Sequence, residues 1–203
     1  MIYLIGGAPR VGKSIVAKRM AEKLGIRFVS TDELCEKYSQ AIPEAERKGK
    51  FPFPGFSGDP TENTSASEEL VGFQLAEAKS FEPEVRRMIS EALSKNEPLV
   101  IEGVHLLPES VKNIMDESGA GQMCTIFVGS KSAERIAEGI AKNSSPDNWM
   151  RNSNPAVIKQ VAIFSAAFSE WIDKECRKFG LPYVERTDDF EADMERIVGM
   201  VSR

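Results

Sequence analysis

A chain of 203 residues with 41% hydrophobic and 28% charged residues can bury the core of one sizeable domain, and nothing in its composition marks a disordered or fibrous protein. The net charge is −5 and no dense basic tract is present, which argues against nucleic acid as the main partner. Cys35, Cys124 and Cys176 are odd in number and widely spaced, and His105 is the only histidine, so neither a disulfide framework nor a zinc site is expected. No apolar run approaches the length of a membrane span, and the N-terminus enters a strand directly, so the reading is a cytoplasmic protein without a membrane partner.

The chain opens with an apolar run, Ile2-Tyr3-Leu4-Ile5, followed at once by G-x-x-x-x-G-K-S from Gly7 to Ser14. A helical pattern with Ile15, Ala17, Met20, Ala21 and Leu24 on one side comes next. Strand, glycine-rich loop and helix in this order form the context of a phosphate-binding loop. The loop of Gly7, Ala8, Pro9, Arg10, Val11 and Gly12 would wrap a nucleotide's phosphates with the backbone N–H groups of all but Pro9, and the helix N-terminus adds donors and the positive end of its dipole. Lys13 is placed to reach the β- and γ-phosphates, and the Ser14 hydroxyl to ligate Mg²⁺. Many such loops carry a third glycine where this chain has Arg10; if that position needs φ > 0, arginine costs about 1 kcal/mol there. The dinucleotide fingerprint G-x-G-x-x-G is absent.

Gly25 stops the first helix, Ile26–Val29 reads as a second strand, and Ser30 or Thr31 caps a helix that fades before Pro43. Residues 41–64, with four prolines and Phe51, Phe53 and Phe56, read as an irregular segment capping the acceptor side of the site. Ser65 to Glu68 resembles a capping box, and the helix that follows is expected to kink or break at Pro83. Leu99-Val100-Ile101-Glu102 is a buried strand ending in a carboxylate; Pro108 starts a short helix and Gly119 ends it. Met123–Val128 is the next strand, and Ser130 caps a helix through Ile140. A polar segment over residues 143–154 precedes the long helix opened by Asn154-Pro155, with Val157, Val161, Phe164, Phe168, Trp171 and Ile172 as a core stripe. Leu181–Val184 is the last strand, and Thr187 or Asp188 caps a final helix.

Strands alternating with helices give a parallel sheet covered on both faces, with ligands at the carboxyl ends of its strands. Those ends carry the loop, Asp32, Glu102 and His105, which are therefore expected to converge. Asp32 can accept the proton of an acceptor hydroxyl, Glu102 can hold Mg²⁺ or orient the acceptor, and His105 can bind the acceptor. Arg86 is a candidate for meeting an acidic group on the acceptor.

The blocks LIGGAPRVGKS, FVSTDEL and LVIEGVHLLP resemble the P-loop small-molecule kinases of the nucleoside-monophosphate-kinase-like group. The latter two are similar to 2-phosphoglycerate kinase and related AAA-type kinase sequences. The resemblance implies an α/β/α sandwich in one domain over residues 1–203, a five-stranded parallel sheet of order 2-3-1-4-5, a mobile lid over 143–154, and ATP as donor. Relatives commonly place two arginines, four apart, after the fourth strand; this chain has Glu138 and Lys142 there, with Arg135 earlier and Arg151 in the polar segment. Arg151 or Lys142 is then the candidate to reach the nucleotide on closure.

The expected function is Mg–ATP-dependent phosphoryl transfer to a hydroxyl or phosphate of a small, anionic metabolite. The alternatives are a nucleoside monophosphate kinase and a nucleotide-binding switch or slow ATPase acting through a protein partner.

Overall fold

β1 (Ile2–Gly7) is buried along nearly its whole length because it lies mid-sheet, paired in parallel with β3 (Leu99–Gly103) on one side and β4 (Met123–Gly129) on the other. β2 (Arg27–Ser30) continues the sheet beyond β3, and β5 (Tyr183–Glu185) beyond β4, giving the order 2-3-1-4-5 with all pairs parallel. The computed structural model describes residues 1–56, 65–119, 121–142, 150 and 152–201.

Helices α1 (Lys13–Leu24) and α8 (Phe190–Val201) pack together, while α4 (Ser67–Ser94), α5 (Pro108–Ser118) and α6 (Ala133–Lys142) each pack on α7 (Pro155–Phe179), which itself lies on β4. A continuous-apolar strand such as β3, buried at all five positions, requires cover on both faces, and these helices supply it. The stripe on α7 is core as expected: Val157, Val161, Phe164, Phe168 and Ile172 are buried and Trp171 packs against them. Among the described residues, no helix is long and apolar enough to cross a membrane, and Cys35, Cys124 and Cys176 are free thiols.

Several local expectations are corrected. In α1 the core residue is Val16, whereas Ile15 is exposed, because the helix begins at Lys13 and buries Lys13, Val16, Ala17, Met20 and Ala21. Residues 41–64 are not wholly irregular: α2 (Thr31–Ala41) is followed by α3 (Glu44–Lys50), which Arg47 fastens through bonds to the carbonyls of Ser39, Gln40 and Ile42. Beyond it, Phe53 and Phe56 pack on Phe164 of α7 with ring centroids 5.3 and 5.6 Å away. Residues 57–64 of that segment lie outside the described residues.

α4 runs as one helix of 28 residues through Pro83, so of the expected kink or break the break does not occur, and tertiary packing outweighs the one lost backbone bond. Its N-cap is Ala66, with no side-chain cap, so the capping box does not form. Ser132, and not Ser130, caps α6 by accepting from the Arg135 amide. Asp189, and not Thr187 or Asp188, accepts from the Ala192 amide at the start of α8. Asn154 caps α7 by accepting from the Ala156 amide.

Candidate active site

The loop after β1 owes its shape to three unusual backbones. Gly7 adopts φ 140, and a Cβ there would lie 2.0 Å from the Val128 carbonyl oxygen. Gly12 adopts φ 93, facing the Phe190 ring. Arg10 adopts φ 61, the left-handed region where a side chain costs about 1 kcal/mol, which the sequence raised as a condition and the structure meets. Ala8 and Val11 are buried, Pro9 and Arg10 half-buried, and burial lowers the Arg10 guanidinium below its ordinary value. Lys13 is buried at the start of α1, and its Nζ donates to the Ala8 carbonyl oxygen at 2.8 Å.

Sheet register then sets the carboxylates beside this loop. Glu102 stands opposite Ile5 of β1 and opposite Ser30 of β2, so the residues that follow β1 and β2 flank it. Ser14 Oγ donates to Glu102 Oε1 at 3.1 Å. Glu102 is 2% exposed, and its Oε2 is buried with no hydrogen-bond partner. Burial raises the Glu102 carboxyl above its ordinary value, with Asp32 adding to this and Lys13, Ser14 and Ser30 opposing it. A buried carboxylate oxygen without a donor, next to a serine hydroxyl, fits a hard cation that prefers oxygen ligands, and Ser14 and Glu102 would hold Mg²⁺.

Asp32 sits at the start of α2, which follows β2 directly. Gly103 brings this turn close: a Cβ on Gly103 would lie 1.7 Å from Thr31 Oγ1. Asp32 Oδ1 accepts from the Val104 amide at 3.4 Å and lies 3.4 Å from His105 Nδ1. Thr31 Oγ1 is 3.0 Å from the same ring nitrogen and donates to Asp32 Oδ1 at 3.5 Å. The Asp32 side chain is 53% exposed, whereas that of His105 is only 3% exposed. Desolvation alone would raise the Asp32 carboxyl, but His105, Lys13 and the Val104 amide outweigh it and hold it below its ordinary value. Burial would likewise lower His105, yet its bonds to Asp32, Cys35 and Glu77 lift the imidazole well above its ordinary value.

The loop, Lys13, Ser14, Asp32, Glu102 and His105 are thus brought together, and Arg86 is not. Its guanidinium bonds Glu82 and Glu117 at 2.7 Å each, and Glu117 lies near the C-terminal end of α5, away from the strand ends.

With the sheet order and the converging side chains in place, comparison with known proteins is informative. No protein-family model matches the chain. It is 27% identical to the 2-phosphoglycerate kinase of Methanothermobacter thermautotrophicus over 196 residues, 93% of this chain and 61% of that protein. The chain therefore spans about three fifths of the length of that relative. Its fold matches a gluconokinase from Sinorhizobium meliloti 1021, with TM-score 0.55 and 17% identity over 99% of this chain and 91% of that one. It also matches a shikimate kinase from Bacteroides thetaiotaomicron, with TM-score 0.54 and 14% identity over 100% and 99%. The chain is thus similar in sequence to one small-molecule kinase and shares the fold of two others.

The chain departs from the expected lid pattern in structure as it does in sequence. Lys142 Nζ bonds Glu138 at 2.8 Å one turn back on α6, and Arg135 bonds Asp188 at 2.7 Å. Arg151 and residues 143–149 lie outside the described residues. Two contributors to the site escaped the sequence analysis. Arg186 follows β5 directly; its Nη1 donates to the Val11 carbonyl at 3.3 Å and its guanidinium lies 4.5 Å from the Phe190 ring centroid. Its position one residue past a strand end was the signal. Glu77, on α4, reaches His105 Nε2 at 3.4 Å, and no spacing in the sequence announces it. Cys35 joins them, with its Sγ, a Glu77 oxygen and a His105 nitrogen all within 4.8 Å of one another.

Proposed function

We propose that this chain transfers the γ-phosphoryl group of ATP to a hydroxyl or phosphate of a small, anionic metabolite, with 2-phosphoglycerate as the first acceptor to test. The observation that carries the reading is the juxtaposition of Lys13, Ser14 and Glu102 with Asp32, since it sets donor-side charge neutralisation beside an exposed carboxylate on one sheet edge. The acceptor's class rests on the 2-phosphoglycerate kinase relative.

In this reading the loop amides and Lys13 cradle the β- and γ-phosphates, and Lys13 leaves the Ala8 carbonyl to do so. Bound Mg²⁺ supplies neutralisation of charge on the phosphate oxygens. Asp32 accepts a hydrogen bond from the attacking hydroxyl and aims its oxygen at the γ-phosphorus, in line with the leaving ADP. The acceptor O–P bond forms, the bond from phosphorus to the β-phosphate oxygen breaks, and the hydroxyl proton passes to the Asp32 carboxylate. Arg186, over Phe190 and against Val11, braces the loop from the β5 side. Residues 41–64 would cap the acceptor and 143–154 would close over the nucleotide. The free thiols accord with the cytoplasm as its location.

The deciding experiment measures ADP release from Mg–ATP with 2-phosphoglycerate, other phosphorylated and hydroxylated acids, and nucleoside monophosphates. Stimulation by an acid supports the proposal, and stimulation by a nucleoside monophosphate alone replaces it with nucleotide kinase activity. Silence across the panel, with a nucleotide-dependent change in affinity for a protein, makes the chain a switch.

A further inference from the structure

We propose that Glu77 is a positioning residue for phosphoryl transfer: through the His105 imidazole it holds the Asp32 carboxylate aimed into the cleft. The inference rests on the reading of Asp32 given above and extends it to a helix that carries none of the motif residues.

The geometry has two sides. On the first, Asp32 Oδ1 and Thr31 Oγ1 lie 3.4 and 3.0 Å from His105 Nδ1. On the second, Glu77 Oε1 lies 3.4 Å from Nε2 and also accepts from Gln74 Nε2 at 3.4 Å. Phe81, one turn further along α4, sets its ring edge-on to the imidazole at 5.2 Å, and Tyr38 stands against Phe81 at 5.7 Å. One face of α4, made by Gln74, Glu77 and Phe81, therefore clamps the ring against the start of α2.

An ionised carboxylate only accepts hydrogen bonds, and neutral imidazole has a single N–H. An imidazolium is the state in which both ring nitrogens donate to the carboxylates facing them, with Thr31 Oγ1 accepting from Nδ1 and donating to Asp32. The charged and titratable groups facing it are Asp32 and Cys35 from α2 and Glu77 from α4, and Lys13 acts on Asp32. The direction of the His105 shift agrees with this arrangement.

Exposure falls inward along the chain of groups. The Asp32 side chain is 53% exposed, Glu77 16% and His105 3%. The contacts of Asp32 among the described residues fall on Oδ1, which leaves Oδ2 to meet an acceptor. Removing the Glu77 charge leaves a buried cation with one carboxylate fewer, and the ring then loses its proton or its orientation. Asp32 keeps the Val104 amide and the Thr31 hydroxyl but loses the charged donor among the groups that orient it.

His105 is the only histidine, so its ring can be observed alone by ¹⁵N and ¹³C NMR of labelled full-length protein in buffer free of transition metals. The wild type is expected to show imidazolium nitrogens at pH 7.5. Glu77→Gln is expected to lower the titration midpoint by about one unit or more, and Glu77→Asp to restore part of it. In the folded variant, kcat is expected to fall about 10- to 100-fold with KM for ATP unchanged. Neutral imidazole in the wild type, an unmoved midpoint in Glu77→Gln, or an unmoved kcat overturns the proposal. If Glu77→Gln does not fold, Gln74→Ala and Glu77→Asp carry the same two readouts. Asp32→Asn separates the layers: an unchanged kcat there removes the reading of Asp32, while the NMR arm still decides whether Glu77 holds His105.

Discussion

Ser14 Oγ and Glu102 Oε1 meet at 3.1 Å although 88 residues of chain separate them. One lies in the first turn of α1 and the other is the last residue but one of β3, and parallel pairing of β1 with β3 is what joins them. The contact ties the phosphate loop to a buried carboxylate whose second oxygen has no donor.

Glu102→Gln should therefore act on the cation and leave the nucleotide. Amide for carboxylate keeps the shape and removes the charge from the oxygens that face Ser14. The Mg²⁺ concentration for half-maximal activity is expected to rise at least tenfold, or about 1.4 kcal/mol, with ATP affinity in EDTA unchanged. Magnesium titrations of activity and equilibrium binding in chelator check both halves.

Lys13→Ala removes the cation proposed to face the β- and γ-phosphates and also the bond to the Ala8 carbonyl. ATP binding is expected to weaken, or transfer to be abolished, with the circular dichroism spectrum retained. Unchanged affinity together with unchanged turnover would end the phosphate-loop assignment.

Asp32→Asn is expected to keep Mg–ATP binding while lowering kcat by about 10²–10⁴-fold, the usual range for a lost general base. Asparagine is nearly isosteric and can still accept from the Val104 amide through its carbonyl oxygen, so folding should survive. Steady-state kinetics with the acceptor separates this from a binding role, which would raise the acceptor KM and leave kcat within about threefold.

How much of this was legible in the sequence follows from distance along the chain. Gly7 to Ser14 could be read outright because its chemistry is contiguous, and the φ of Arg10 could be posed as a question before it was answered. Asp32, Glu102 and His105 were found by one general rule, that parallel strands gather their carboxyl ends. Glu77 was invisible because its meeting with His105 depends on how α4 seats on the sheet, which helical periodicity does not encode. Arg86 misled for the converse reason: a basic residue on a helix says nothing of the two glutamates waiting beside it. Ala17, Met20 and Ala21 were read correctly, but Val16 was passed over for Ile15, its neighbour about 100° away around the helix, because both are β-branched and apolar.

Protonation of His105 makes the fold's stability depend on pH in a defined direction. Its folded value lies well above the ordinary 6.5, so the stability it contributes is complete below about 6.5 and is lost as pH rises through the folded value. Asp32 works in the opposite sense: its lowered value gives stability above the ordinary 3.8 that disappears as pH falls through the folded value. Urea midpoints are expected to decline on the alkaline side in the wild type and to be flatter there in His105→Gln. Equal alkaline slopes in the two proteins would show that the ring is neutral when folded.

The unbroken course of α4 through Pro83 has a mechanical consequence. Proline brings no amide to the carbonyl of Lys79, so the helix has its weakest link in the turn between Glu77 and Arg86. Arg86 moors the far half to Glu117 of α5, while Gln74, Glu77 and Phe81 press the near half onto His105. The rod thus has a compliant joint between its anchor and its working face. A bend of α4 would therefore fall between the half moored to Glu117 and the half that contacts His105.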